Sequence, residues 1–132
     1  MPRIVALGDT HGGFAQVQLV LFGLELVDEG LHWAGGDTHL VFVGDLTDRG
    51  LQEKELIDLV RRLQPEAEAA GGRVHVLLGN HEAMNMIQDL RYVAEEGHEA
   101  FLEEEDPELR KKAFKNFSAT LRGEKLTRNQ LQ

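Results

Sequence analysis

Three glycine-bounded clusters hold most of the residues in this chain that could do chemistry. They are Gly8-Asp9-Thr10-His11-Gly12-Gly13, Gly44-Asp45-Leu46-Thr47-Asp48-Arg49-Gly50 and Gly79-Asn80-His81-Glu82. Carboxylate, imidazole and amide groups without sulfur form a donor set for hard to borderline divalent ions such as Mn2+, Fe2+ or Zn2+. The chain has no cysteine, which excludes disulfides, thiolate zinc sites, iron–sulfur clusters and thiol nucleophiles. Glycines beside the ligands let the backbone turn sharply and let a bulky anion approach. One Gly-Asp pair would be an ordinary turn or helix cap, because Asp serves both. Three such clusters, carrying two histidines and an arginine, exceed what capping explains.

Each cluster follows a short apolar run that reads as a strand: Ile4-Val5-Ala6-Leu7, Leu40-Val41-Phe42-Val43 and Val74-His75-Val76-Leu77-Leu78. The runs are nearly continuous rather than alternating, which predicts strands covered on both faces. Between them lie helical patterns. Phe14–Glu29 places Phe14, Val17, Val20, Leu21, Leu24 and Val27 on one face, and Leu51–Gln64 does the same with Leu56, Leu59, Val60 and Leu63. Pro65 opens a further short helix over Glu66–Ala70, stopped by Gly71-Gly72. The segment Gly30–Thr38 with Trp33 is a turn or small excursion. Strand, helix, strand, helix, strand predicts an α/β fold, a parallel βαβαβ sheet with flanking helices and right-handed crossovers. In such sheets the loops at the carboxyl ends of the strands form the ligand site. If the strands are neighbours, Asp9, His11, Asp45, Asp48, Arg49, Asn80 and His81 converge there.

Beyond the third cluster, Ala83–Tyr92 starts a helix and Ala94–Glu105 is strongly acidic. Asp106-Pro107 supplies an N-cap followed by proline at the first helical position. Phe114, Phe117 and Leu121 recur at helical spacing, and Arg110, Lys111, Lys112 and Lys115 are read as the solvated face of that helix. The length of 132 residues fits one domain, residues 1–93 carrying the motifs and 94–132 a helical segment. With 42% hydrophobic and 28% charged residues the chain is too apolar to be disordered. Its net charge of −9 argues against sequence-independent nucleic-acid binding, which needs a basic footprint. No stretch approaches the ~18 apolar residues of a membrane span, so a soluble, cytoplasmic protein is expected.

The three clusters resemble the signature of the calcineurin-like metallophosphoesterases, in their phosphoprotein phosphatase branch: Gly-Asp-x-His-Gly, Gly-Asp-x-x-Asp-Arg-Gly and Gly-Asn-His-Glu occur intact and in order. The run Gly79–Met86 followed by Asp89-Leu90-Arg91-Tyr92-Val93 resembles the bacterial Shewanella-like phosphatases, and the likeness covers Ile4–Val93. The resemblance implies the first half of the family's α/β sandwich and two divalent metal ions, Mn2+ ahead of Fe or Zn. Asp9 and His11 would bind the first metal, Asp45 would bridge both, and Asn80 would bind the second. His81 would act as general acid, oriented by Asp48, and Arg49 would grip the phosphate oxygens with its planar fork. Two metals sharing a carboxylate lower the pKa of a shared water and hold the attacking and leaving oxygens of an in-line displacement. Glu82 completes the motif without an assigned role.

The expected function is therefore hydrolysis of phosphate monoesters, on phosphoserine, phosphothreonine or phosphotyrosine in proteins or on small phosphoesters. Family members continue further and supply two more histidines to the second metal and another arginine to the phosphate, so the chain reads as the N-terminal half of a phosphatase. Two alternatives are a truncated, catalytically weak metal- or phosphate-binding protein and a relative of the dinucleoside-polyphosphate hydrolases. None of the remaining histidines is read as a substitute ligand. His98 lies in an acidic exposed segment, His32 and His39 flank the Trp33 turn as surface or capping residues, and His75 is a hydrogen-bonded core histidine. Bridging by Asp45 predicts the second strand in the middle and both crossover helices on one face. The other face, left apolar, predicts a homo-oligomer.

Overall fold

The computed structural model describes residues 2–121. They divide into two compact units, one ending at Ala100 and one starting at Phe101. The first contains β1 (Ile4–Leu7), α1 (Phe14–Gly23), β2 (His39–Phe42), α2 (Glu53–Ala69), β3 (Arg73–Val76), α3 (Asn80–Met86) and α4 (Glu95–Glu99). The second contains a 3-10 turn (Leu102–Glu104) and α5 (Pro107–Leu121). Asp106 caps α5 as expected, its Oδ1 accepting the Glu108 N–H at 2.8 Å, with Pro107 as the first helical residue. Leu131 and Gln132 lie outside the described residues, as do the side chains of His98 and Leu121. Among the described residues no helix is long and apolar enough to cross a membrane.

The sheet is parallel with the order β1-β2-β3, so β2 is central. Val5 pairs with Leu40 and Leu40 with Val74, which puts Val5, Leu7, Leu40, Phe42 and Val74 on one face. That face packs on Val17 and Leu21 of α1 and on Leu56, Leu59, Val60, Leu63 and Ala67 of α2. Leu21, Leu40, Phe42, Leu56 and Leu63 are fully buried, and each such side chain contributes about 1.5–3 kcal/mol. Both helices cover one face because right-handed crossovers between successive neighbours all pass on the same side.

Within the first unit, helices α1 and α2 therefore cover one face of the sheet and not both. Ile4 is 70% exposed and Val43 46%, and β1 alternates exposed with half-buried residues. The open face also carries His39 and His75, whose Nδ1 and Nε2 lie 3.2 Å apart. His75 is hydrogen-bonded as read but is half-buried on this face and not in the core, whereas His39 begins β2 and does not cap a turn.

Two helix boundaries also differ. α1 stops at Gly23 because Glu25 adopts a left-handed φ of 57°. The Leu26 N–H bonds to Leu21 O and the Glu25 N–H to Phe22 O, a Schellman closure with glutamate where glycine is usual. The chain then turns into a bridge between Val27 and Trp33. Pro65, expected to begin a new helix, lies inside α2. It sits on the exposed side, where water can satisfy the Arg61 carbonyl that proline leaves without a donor. Leu63 and Ala67, one turn apart, stay fully buried across it.

Candidate active site

The three motif loops leave the carboxyl ends of β1, β2 and β3 side by side. The first runs along the second, with His11 N donating to Asp45 O at 2.9 Å and Gly12 N to Leu46 O at 2.7 Å. The second meets the third backbone to backbone: Gly44 has φ +103°, and a Cβ there would collide with Gly79. Gly50 lies equally hard against His11 and Gly12. Asp9, His11, Asp45, Asp48 and Arg49 all have positive φ, between 44° and 69°. Outside glycine that conformation costs of order 1 kcal/mol or more per residue, and its clustering in two loops marks where local geometry yields to function.

These loops bring His11, Asp45 and His81 together, with one donor atom of each within 4.8 Å of the others. His11 Nδ1 lies 3.0 Å from the Thr47 carbonyl. A carbonyl only accepts, so Nδ1 carries the proton and the neutral ring presents the Nε2 lone pair. His81 is oriented the same way. Its Nδ1 donates to Asp48 Oδ2 at 2.7 Å, with both side chains almost fully buried. Two imidazoles whose Nδ1 protons are held by the Thr47 carbonyl and the Asp48 carboxylate, beside the Asp45 carboxylate, fit a divalent metal ion, whose ligand bonds are ~2.0–2.2 Å. Arg49 reaches into the same place: Nη2 donates to His81 Nε2 at 3.2 Å and Nη1 to His11 Nε2 at 3.5 Å.

The sequence-predicted ligands also include Asp9 and Asn80. Both are exposed, Asn80 as the first residue of α3. Asp9 and His11 line a groove of about 670 Å³ bounded by Leu7, Val17, Val20 and Leu51.

Several residues that hold the site together carry no assignment from sequence. Glu82 accepts the N–H groups of Gly79, Asp45 and Leu46, each at 2.8 Å, and that of Thr47 at 3.1 Å, together with the Thr47 hydroxyl. Burial pushes its carboxyl up, but the donors of Thr47, Gly79 and Asp45 outweigh that and hold it below the ordinary carboxylate range. Asp45 ties back by accepting the His81 N–H at 2.9 Å. Asn85 Nδ2 donates to Asp48 Oδ1 at 2.9 Å, fixing the carboxylate that orients His81. Their sequence signals are positional. Glu82 is the third residue of α3, where a side chain reaches back to the helix start, and Asn85 lies one turn beyond His81 on the same face.

This metal-competent trio at parallel strand ends coincides with a family pattern: residues 2–127 match the calcineurin-like phosphoesterase family. The chain belongs to that family. Among its relatives, Shewanella-like protein phosphatase 2 of Arabidopsis thaliana is 41% identical over 99 residues, or 75% of this chain and 25% of the relative. The Oceanobacillus iheyensis bis(5'-nucleosyl)-tetraphosphatase PrpE is 34% identical over 80 residues, 60% of this chain and 30% of the relative. The solved cold-active protein-tyrosine phosphatase of a psychrophilic Shewanella superimposes with a TM-score of 0.73 at 39% identity. That match covers 76% of this calcineurin-like chain and 30% of the solved one. The chain thus spans 25% to 30% of the length of these phosphatases.

Proposed function

We propose that this chain carries the metal- and phosphate-binding half-site of a metal-dependent phosphatase acting on phosphate monoesters of protein side chains. The reading rests on one observation: Arg49 projects its guanidinium onto the Nε2 atoms of His11 and His81, beside Asp45. A phosphoryl group seated there meets a planar cation and the Nε2 edge of an imidazole together. Divalent ions, Mn2+ first among them, supply Lewis acidity toward phosphoryl and water oxygens when bound. His11 and Asp45 would hold them, Asp45 serving both, with Asp9 and Asn80 as the further ligands. Arg49 binds phosphate oxygens bidentately. Once protonated on both ring nitrogens, His81 would pass its Nε2 proton to the leaving oxygen, with the Asp48 carboxylate stabilising the charged imidazole that this requires.

Elemental analysis combined with turnover of an aryl phosphate tests this. His81→Ala should lower turnover by ~10²–10⁴ while metal content stays near normal, the range expected for a general acid. Loss of metal with unchanged turnover per bound metal would make His81 a ligand instead. The likeness to a dinucleoside-tetraphosphate hydrolase supports a second reading, and faster turnover of a dinucleoside tetraphosphate than of phosphopeptides would favour it. The open sheet face, with Ile4 and Val43 exposed, supports self-association. Light scattering at micromolar concentration, with and without Mn2+, tests that reading, and a monomer under both conditions would overturn it.

A further inference from the structure

Tyr92 lies beyond the third motif, yet three parts of the site meet on it. Its main-chain carbonyl accepts the Arg49 N–H at 3.0 Å. Its ring lies under the Arg49 guanidinium, 5.5 Å from centroid to Cζ. The same ring packs on the His81 imidazole, centroids 5.1 Å apart at 56°. Arg91 also sits over the ring, 5.8 Å from its centroid, itself held by two 2.8 Å bonds to Asp89. Arg49 needs such support. Its backbone is left-handed at φ 67° and its residue is exposed, so a long side chain with many rotamers must hold one geometry at a solvent-open site. An aromatic face within about 6 Å of a guanidinium attracts it electrostatically and restricts its plane.

We propose that Tyr92 is a positioning residue that sets the Arg49 guanidinium and the His81 imidazole in one arrangement, so that oxyanion binding and proton transfer share a single aromatic support. This rests on the phosphatase reading for its purpose but not for its geometry. The contacts use the ring face and the main-chain carbonyl, so phenylalanine preserves them and leucine removes the aromatic part.

The first test is an NMR spectrum of the chain without metal or substrate. The Arg49 δ-methylene protons should be shifted upfield by the Tyr92 ring current, retained in Tyr92→Phe and lost in Tyr92→Leu. Random-coil positions for these protons in the unsubstituted chain overturn the proposal without any variant, even if the chain proves an active phosphatase. A chain lacking turnover but showing the shift supports the positioning geometry while the phosphatase reading fails.

The second test is calorimetric titration with inorganic phosphate in the presence of Mn2+. Tyr92→Leu should weaken phosphate binding about 3–10-fold, in line with one lost cation–π contact, with Tyr92→Phe within about twofold of the parent. In an Arg49→Met background Tyr92→Leu should have no further effect, because the two act as one unit. Additive losses, or unchanged affinity in Tyr92→Leu, overturn it.

Discussion

The braced residues of the loops after β2 and β3 differ sharply from Asp9 and Asn80, the proposed outer ligands. Asp45, Thr47 and Asp48 are laced to α3 through Glu82, His81 and Asn85, with three backbone N–H groups of the second loop ending on one carboxylate. The side chains of Asp9 and Asn80 make no hydrogen bond within the described residues, and both are exposed. Part of the site is thus shaped by the protein's own polar contacts, and part presents free ligand atoms to solvent. The difference teaches where precision is built. In the proposed mechanism the groups that must keep a tautomer or a direction, His11, His81 and Asp48, are the braced ones, as expected where a small misplacement of a catalytic group is costly. Carboxylate and amide oxygens that need only reach a cation can be left unbraced.

The comparison predicts an order of effects. The largest is expected at Asp45, which joins both parts. Asp45→Asn keeps a residue tolerant of φ 52° and the oxygen facing the His81 N–H, but removes the charge. It should abolish metal retention measured by elemental analysis after gel filtration, whereas Asn80→Ala should only weaken it. Equal loss in the two variants would show that Asp45 is not shared. Next comes the brace itself. Glu82→Ala strands the N–H groups of Gly79, Asp45, Leu46 and Thr47 and should cost about 2–3 kcal/mol in chemical denaturation. Asp9→Asn should stay within about 0.5 kcal/mol. If the two variants were equally stable, the bracing would be structural decoration.

Smaller effects sharpen the picture. Asn85→Ala removes one hydrogen bond to Asp48 and should cost about 1 kcal/mol. Its loss of aryl phosphate turnover should be smaller than that of Asp48→Asn, which disturbs the His81 tautomer directly. The smallest expected effect lies outside the site, where Glu66 of α2 clamps the Trp33 excursion. Its carboxylate accepts the Trp33 N–H at 2.8 Å and pairs with His32 at 3.0 Å. The Trp33 N–H foremost, with His32 and Arg62, holds its pKa below the ordinary 4.5 against desolvation. A lowered carboxyl pKa contributes stability that is present above the ordinary value and lost as pH falls through the lowered one. The stability difference between the parent and Glu66→Gln should therefore be below about 1 kcal/mol at pH 7, because exposed pairs are screened. It should shrink as pH falls below 4.5 and through the lowered pKa, and a difference independent of pH would show that the charge is irrelevant to the clamp.

The sequence by itself determined the chemistry and its approximate placement. Ligand chemistry tolerates few residue types, so Asp9, His11, Asp45, Asp48, Arg49, Asn80 and His81 stand out beside glycines that tight loop contacts require, as at Gly44 against Gly79. Strand runs, crossover helices and the Asp106 cap were equally legible, because periodicity and capping are local properties. What only the tertiary structure decided depends on contacts between distant residues. Glu25 ends α1 in a left-handed conformation with no glycine to signal it. Pro65 stays within α2 because Ala67 is worth burying. The crossover helices cover one face of the continuous apolar strands because both crossovers pass on the same side. Glu82, Asn85 and Tyr92 acquire their places from partners in other loops: Glu82 and Asn85 reach residues 35 to 38 positions away, and Tyr92 meets Arg49 and His81 across a turn of chain that no local pattern specifies. A short-range pattern carries residue type and period, but the direction of a buried polar side chain is set by whichever donors the folded loops bring within about 3 Å of it.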